Sequence, residues 1–484
     1  MIYDRLEEFG DAPALIEESG NVWTFEELTR QADKIASMME KRTILFLLCK
    51  NQASVVAAYV GALRKRIVPL LLRADIPENL LRHLLDIYQP QYIWMEQREN
   101  PLGHILYSDG MFQLLKTEYP PYPIHSELAV LLSTSGSTGS PKLVRQSYRN
   151  IMANTTSIIE YLSLGPNDRA ITTLPMYYTY GLSIIQTQLT CGGSLVLTEA
   201  SVFERRFWEL LNSQKVTNFG GVPYTYEMLK RMRFSKMGLP FLRFITQAGG
   251  KLAPKLSAEF AAICKEKGIS FITMYGACEA TARMSYLPWK YAGSKAGSIG
   301  IPIPGGRFAI MDSDGKPVDK TGTEGELVYY GENVMLGYAE TKDDLAKGDE
   351  QHGILATGDI ARKDEDGFYY ITGRRKRFLK LFGNRISLDA VEAYLKSLGY
   401  LACACTGKDD KLVVYTTEEV DKKEVCTLLS KFTQLHVSAF SVVQVKELPR
   451  NDAGKILYDK LKDMQNVSAN RDKTSEGSGR LAEN

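Results

Sequence analysis

Apolar and polar positions along the chain alternate between two periods. Thr24-Phe25-Glu26-Glu27 has the spacing of a capping box, and Leu28, Ala32, Ile35, Ala36 and Met39 then recur on one helical face. Thr43–Leu48 is a continuous apolar run, the pattern of a strand buried on both faces. A helix over Ala53–Leu63 and a strand over Val68–Leu72 complete a predicted β-α-β unit. Short apolar runs at Ile171–Leu174, Leu195–Leu197, Phe241–Ile245 and Phe271–Met274 alternate with amphipathic segments such as Phe203–Ser213, which extends the layered α/β pattern. From about residue 295 glycine and proline become frequent, and strands at Arg307–Met311 and Glu326–Tyr330 follow without a helix between them. The fold class expected is α/β: a large multi-layer α/β N-terminal domain over 1–375 with a β-rich subdomain at about 295–372, then a small mobile α+β domain over 376–465. The Gly/Ser-rich stretch 466–484 is expected to be disordered.

Composition narrows the classes of function. With 484 residues the chain exceeds a single core, and 44% hydrophobic with 24% charged residues is ordinary for a soluble globular protein. The 59 basic and 57 acidic residues nearly cancel, so nucleic acid is not an expected partner. Seven cysteines are scattered without disulfide or zinc spacing, which fits a reducing cytoplasm. Cys403 and Cys405 would share one face of a strand and are read as core. The acidic start, Met1–Glu8, lacks the apolar stretch of a secretory signal, and no run approaches the roughly 18 apolar residues of a membrane span.

The chemistry concentrates in Thr134-Ser135-Gly136-Ser137-Thr138-Gly139-Ser140-Pro141-Lys142. Glycines let backbone N–H groups approach an anion, the hydroxyls add neutral donors, and Lys142 adds charge. Apolar residues on both sides predict a loop joining two strands, unlike a P-loop, which opens a helix. Taken alone, a polar hairpin turn is the plainer reading. Four further segments follow in order: Gln247-Ala248-Gly249-Gly250-Lys251-Leu252, Tyr275-Gly276-Ala277-Cys278-Glu279, Thr357-Gly358-Asp359 with Gly373-Arg374, and Pro449-Arg450-Asn451-Asp452-Ala453-Gly454-Lys455. Together they resemble the adenylate-forming superfamily of acyl-CoA synthetases, luciferases and peptide-synthetase adenylation domains.

The resemblance implies a role for each segment. Thr134–Gly139 would wrap the β- and γ-phosphates of ATP, with Lys142 neutralising the departing pyrophosphate. Gly249, Gly250 and Lys251 would lie along adenine, and Tyr275 and Gly276 would pack on the ring. Glu279 would hold Mg²⁺ through oxygen, the donor a hard ion prefers. Asp359 and Arg374 would fix the ribose. Lys455 would bind the substrate carboxylate and the α-phosphate, while Lys376 would be the hinge about which the C-terminal domain turns. Gly383 would then leave room for the pantetheine arm of coenzyme A. Cys278 stands where the family carries threonine, and losing that hydroxyl is expected to cost about 1 kcal/mol of hydrogen bonding. Thr281 lies nearby as a conceivable replacement.

The acyl site is expected at Leu174–Gly181, with Tyr178 where many relatives carry histidine, and with Tyr180, Gly220 and Gly221 in the wall. That segment lacks the aspartate that pairs with an α-ammonium group, which disfavours an α-amino acid. Its aromatic and polar character suggests a small or hydroxylated carboxylic acid. Three readings follow: an acyl-CoA synthetase, a ligase loading the phosphopantetheine of an acyl carrier protein, and a degenerate homologue that binds without turnover.

Overall fold

The computed structural model describes residues 3–99, 102–133, 142–375, 377–382, 384–408, 411–450, 456–458 and 460–461. The chain divides into two compact units, one of Met1–Ala309, Val328–Ala356 and Asp366–Tyr369, the other of Ile310–Leu327, Thr357–Glu365 and Tyr370–Asn484. A four-stranded sheet has the order Arg307–Met311, Gly325–Tyr330, Ile354–Lys363, Tyr369–Arg374.

The first unit carries two large sheets. One has eight strands in the order Gly337–Ala339, Leu143–Ser147, Leu128–Ser133, Val68–Arg73, Ile44–Cys49, Tyr92–Glu96, Phe112–Lys116, His104–Ser108. Ile44–Cys49 is flanked by parallel partners and buried at all six positions, which is why its sequence shows no polar alternation. The helix Phe25–Ser37 begins with the expected capping box: Thr24 Oγ1 accepts from the Glu27 backbone N–H at 3.1 Å, and Glu27 accepts from the Thr24 N–H at 2.9 Å. The helix Ala53–Arg64 is buried at ten of its twelve positions, all but Ser54 and Arg64, because it belongs to an apolar cluster that joins Leu45, Leu47 and Leu71 of this sheet to Leu15, Leu195 and Leu197 of the other.

The other sheet has nine strands, ordered Ile301–Pro302, Ser285–Tyr286, Ser270–Tyr275, Phe244–Gln247, Asn218–Gly221, Arg169–Ile171, Ser194–Leu197, Pro13–Glu17, Val22–Thr24. Two strands are displaced from their sequence-based limits: the chain turns out of the sheet after Ile171, and Phe241 is exposed ahead of a strand that starts at Phe244. Asn218–Gly221, Phe244–Gln247 and Ser270–Tyr275 are adjacent and parallel. Their carboxyl ends therefore deliver residues 222–223, 248–252 and 276–279 to one edge of the sheet, where ligand crevices of α/β folds form.

In the second unit, Cys403–Lys408, Lys411–Thr416 and Phe440–Gln444 form a three-stranded sheet, accompanied by helices Leu388–Ser397 and Lys422–Thr433. Cys403 and Cys405 pack with Leu388, Val391 and Leu412, the core placement their spacing predicted. All seven cysteines are free. Among the described residues no helix is long and apolar enough to cross a membrane. Residues 466–484 lie outside the described residues.

Candidate active site

In the first unit Lys142, immediately before a strand of the eight-stranded sheet, is linked through Tyr338 to the segment after Ser270–Tyr275 of the nine-stranded sheet, and residues 248–252 follow the neighbouring strand Phe244–Gln247. Leu128–Ser133 and Leu143–Ser147 are antiparallel neighbours, so the intervening Ser/Thr/Gly segment joins two strands, as its apolar flanks predicted. Thr134, Ser135, Gly136, Ser137, Thr138 and Gly139 themselves lie outside the described residues. Lys142, at the far end, sits with Nζ 3.9 Å from the centre of the Tyr338 ring and 3.7 Å from Glu340. Tyr338 in turn donates its hydroxyl to Glu279 Oε1 at 2.9 Å. One aromatic side chain thus links the lysine and the carboxylate, which are far apart in sequence. Burial, reinforced by Glu279, pushes the Tyr338 hydroxyl well above its ordinary range, so it donates as a neutral phenol.

The segment Tyr275–Glu279 is anchored from two sides. Gln146 Nε2 donates to the Cys278 carbonyl at 3.0 Å, and the Met335 N–H donates to the Glu279 carbonyl at 2.9 Å. At Gly276 any Cβ would overlap the Ala282 carbonyl oxygen, so only glycine lets the chain double back there. Tyr275 is half-buried and tilted against Phe308, ring centres 6.4 Å apart. Cys278 packs against the apolar cluster, and burial together with neighbouring Glu279 pushes its thiol well up. The Thr179 side chain hydrogen-bonds that thiol. Thr281 does not stand in for the absent hydroxyl: its Oγ1 donates to the Asn333 carbonyl at 2.7 Å.

Gly249 adopts φ +80°, a left-handed conformation that brings its Cα under Tyr178; a Cβ there would come 2.6 Å from the Tyr178 hydroxyl. Gly250 is exposed beside Pro223, its carbonyl accepting from Gln247 Nε2 at 2.9 Å, and Lys251 is exposed next to it. The Tyr178 contact joins the expected acyl segment to the expected adenine segment. Tyr180 is fully buried and hydrogen-bonds Thr246 through the carbonyl at 2.9 Å and Oγ1 at 2.7 Å. A Cβ on Gly220 would come 2.7 Å from the same hydroxyl, and one on Gly221 would crowd Thr225 at 2.9 Å, so both glycines make room for neighbouring side chains.

In the second unit, Arg374 Nε donates to Asp359 Oδ1 at 2.8 Å, bringing together the pair expected at the ribose. Asp359 is 7% exposed at its side chain while Arg374 is half exposed, so the arginine holds a buried carboxylate in place. Arg450 and Ile456 form an antiparallel bridge, and the Leu457 N–H donates to the Pro449 carbonyl at 2.8 Å. These contacts draw together the two ends of the segment carrying Lys455. Lys455, Lys376 and Gly383 lie outside the described residues.

Glu279 uses one carboxylate oxygen on Tyr338, and its other oxygen has no hydrogen-bond partner among the described residues. No group of three or more His, Cys, Asp or Glu side chains gathers to enclose a metal among those residues. A single open carboxylate fits Mg²⁺, which keeps several waters and takes further ligands from substrate phosphates.

Tyr338 is a residue of the site that lies in none of the sequence segments singled out above. The family model described as "AMP-binding enzyme" matches residues 2–339. The sulfoacetate–CoA ligase of Cupriavidus necator is 31% identical over 348 residues, covering 70% of this chain and 67% of that protein. The 2-succinylbenzoate–CoA ligase of a Geobacillus species is 31% identical over 360 residues, covering 72% and 71%. Among solved structures, the o-succinylbenzoate CoA synthetase of Bacillus subtilis in complex with its acyl-adenylate intermediate superimposes with a TM-score of 0.78 at 22% identity, over 95% of this chain and 97% of that one. ATP-bound MatB from Rhodopseudomonas palustris gives 0.76 at 20% identity, over 96% and 99%. The match over residues 2–339, together with relatives above 30% identity, places the chain in the AMP-binding enzyme family, and it is an enzyme of the adenylate-forming ligase superfamily.

Proposed function

We propose that the chain is an AMP-forming acid–thiol ligase acting on a small carboxylic acid, with coenzyme A as the acceptor. The observation that carries this reading is the link from Lys142 through Tyr338 to Glu279, a cation beside the eight-stranded sheet and an open carboxylate beside the nine-stranded one, joined by a single tyrosine. In the first half-reaction a carboxylate oxygen bonds to the α-phosphorus of ATP, and the bond from that phosphorus to pyrophosphate breaks. In the second, a thiol sulfur bonds to the acyl carbon, its proton is lost, and AMP leaves. Carboxylate and triphosphate repel one another, so the protein's task is to hold them in line and neutralise charge.

Lys142 would meet phosphate oxygens, and Tyr338 would hold Glu279 in orientation through its hydrogen bond. Glu279 would hold a magnesium ion, which supplies charge neutralisation to the phosphates. Asp359 would accept from the ribose hydroxyls with Arg374 as its support, and Lys455 would bridge the carboxylate and α-phosphate. The working division is an adenylation domain over 1–375 and a lid over 376–465 that turns about Lys376 and brings Gly383 to the thiol path. Coenzyme A is preferred as acceptor because the relatives are named as CoA ligases.

The test is pyrophosphate release from MgATP across a panel of carboxylic acids, with and without coenzyme A. Acid-dependent release stimulated by coenzyme A supports the full reading. Release stimulated only by a phosphopantetheinylated carrier protein would move the acceptor to the carrier. ATP binding without release for any acid would leave a non-catalytic binder.

A further inference from the structure

Behind the acyl segment the first unit buries a guanidinium that no carboxylate neutralises. Arg283 is 3% exposed. Its Nη2 donates to Ser183 Oγ at 3.1 Å, Nη1 to the Ala282 carbonyl at 3.3 Å, and Nε to Met274 Sδ at 3.4 Å. All three acceptors are neutral. The guanidinium also lies 4.1 Å from the centre of the Tyr180 ring. Burying a charge without an opposite partner costs several kcal/mol, and a fold that retains one ordinarily supplies a counter-charge. Elsewhere this chain does so: Arg145, also fully buried, pairs with Glu350, and Arg377 pairs with Asp389 and Glu392. Among the described residues Arg283 has no such partner.

The surroundings locate this charge at the acyl site. A cavity of about 20 Å³ is lined by Arg283, Ser183, Tyr180, Thr246 and Met274. Burial pushes the hydroxyls of Tyr161, Tyr178 and Tyr180 upward, that of Tyr180 to about 12, and the charge of Arg283 opposes the push in all three. The guanidinium therefore sits within electrostatic reach of both tyrosines of the acyl segment. Ile158, Leu162 and Phe244 line the rest of this cavity, so its polar end is the one at Arg283, Ser183 and Thr246.

We infer that Arg283 is a specificity-determining residue that pairs with a second carboxylate at the far end of the acid substrate. This rests on the ligase reading above for the identity of the reacting end. The acid would carry two oxyanions: one is activated, and the other supplies the counter-charge that the fold omits. The pairing would be charge-assisted and desolvated, so an acid of equal length with an uncharged end would leave Arg283 buried and unpaired.

The experiment compares terminal dicarboxylates of three to six carbons with the monocarboxylates and half-amides of equal length. Pyrophosphate release and direct calorimetric binding in the presence of AMP are both measured, for the wild type, Arg283→Met and Arg283→Lys. The expected result is a preference of at least about 100-fold in kcat/KM for one diacid. Arg283→Met should erase it through KM, with the KM for ATP unchanged, and Arg283→Lys should restore part of it. A wild type that turns over uncharged-end acids as well as diacids overturns the inference and leaves the ligase reading standing. A preference that survives Arg283→Met does the same. Diacid binding that depends on Arg283 without any pyrophosphate release supports the site and sinks the ligase reading. Neither binding nor release of any diacid overturns the inference, and release with none of the acids, charged-end or uncharged-end, overturns the ligase reading as well. Should Arg283→Met fail to fold, the wild-type preference and Arg283→Lys decide.

Discussion

Two arginines, one in each unit, Arg283 buried and Arg377 partly so, rest on tyrosine rings and are otherwise treated in opposite ways. Arg377 lies 3.7 Å from the centre of the Tyr458 ring and reaches Asp389 and Glu392 at 2.8 Å each. Arg283 lies 4.1 Å from the Tyr180 ring and meets only neutral acceptors. Where the charge serves the fold, the sequence supplies its counter-charge. Where it faces a cavity at the acyl segment, the counter-charge is missing. Lys142 and Glu279 fall on the same side of this divide: each is only loosely engaged, through Tyr338 and Glu340, and each keeps capacity for a ligand.

The comparison can be broken most severely at Lys455. Lys455→Ala should lower pyrophosphate release by about a thousandfold while the melting temperature holds, as expected for a charge that serves the transition state. Equal turnover in the variant would remove its assigned role. Arg377→Met should do the reverse. It leaves the buried Glu392 and the partly exposed Asp389 without their cation, so denaturant unfolding should show a loss of about 3 kcal/mol. An unchanged unfolding midpoint would show that this network is not what stabilises the second unit. Asp359→Asn removes the carboxylate that Arg374 supports, and the KM for ATP should rise about tenfold, in line with a lost charged hydrogen bond. Tyr338→Phe keeps the ring under Lys142 but frees Glu279. The apparent affinity for MgATP should fall about fivefold, the value of one hydrogen bond, with stability nearly unchanged. Cys278→Thr sharpens the smallest difference. The Thr179 hydroxyl already meets position 278, so any gain in ATP use should stay within about threefold.

Much of this arrangement was legible in the chain. The capping box at Thr24, the buried run at Ile44–Cys49 and the strand-to-strand setting of the Ser/Thr/Gly loop each rest on local physics that tertiary structure does not override. Asp359 and Arg374 were readable as a pair because each sits in a short motif. Tyr338 was not, since its role comes from pairing Gly337–Ala339 with Leu143–Ser147, a non-local contact that sets the ring against Lys142. Arg283 left one faint signal, an arginine between apolar Ala282 and Met284 in a segment bound for the core. Thr281 shows the converse: a nearby hydroxyl suggests compensation for Cys278, yet its bond to Asn333 across 52 residues commits it elsewhere.

The most direct test of the central claim is acid-dependent exchange of labelled pyrophosphate into ATP, measured on the full chain without a thiol. The account predicts exchange that requires MgATP and a carboxylic acid together and vanishes in Lys455→Ala. Bound ATP with no exchange for any acid, or exchange that ignores the acid, would contradict it.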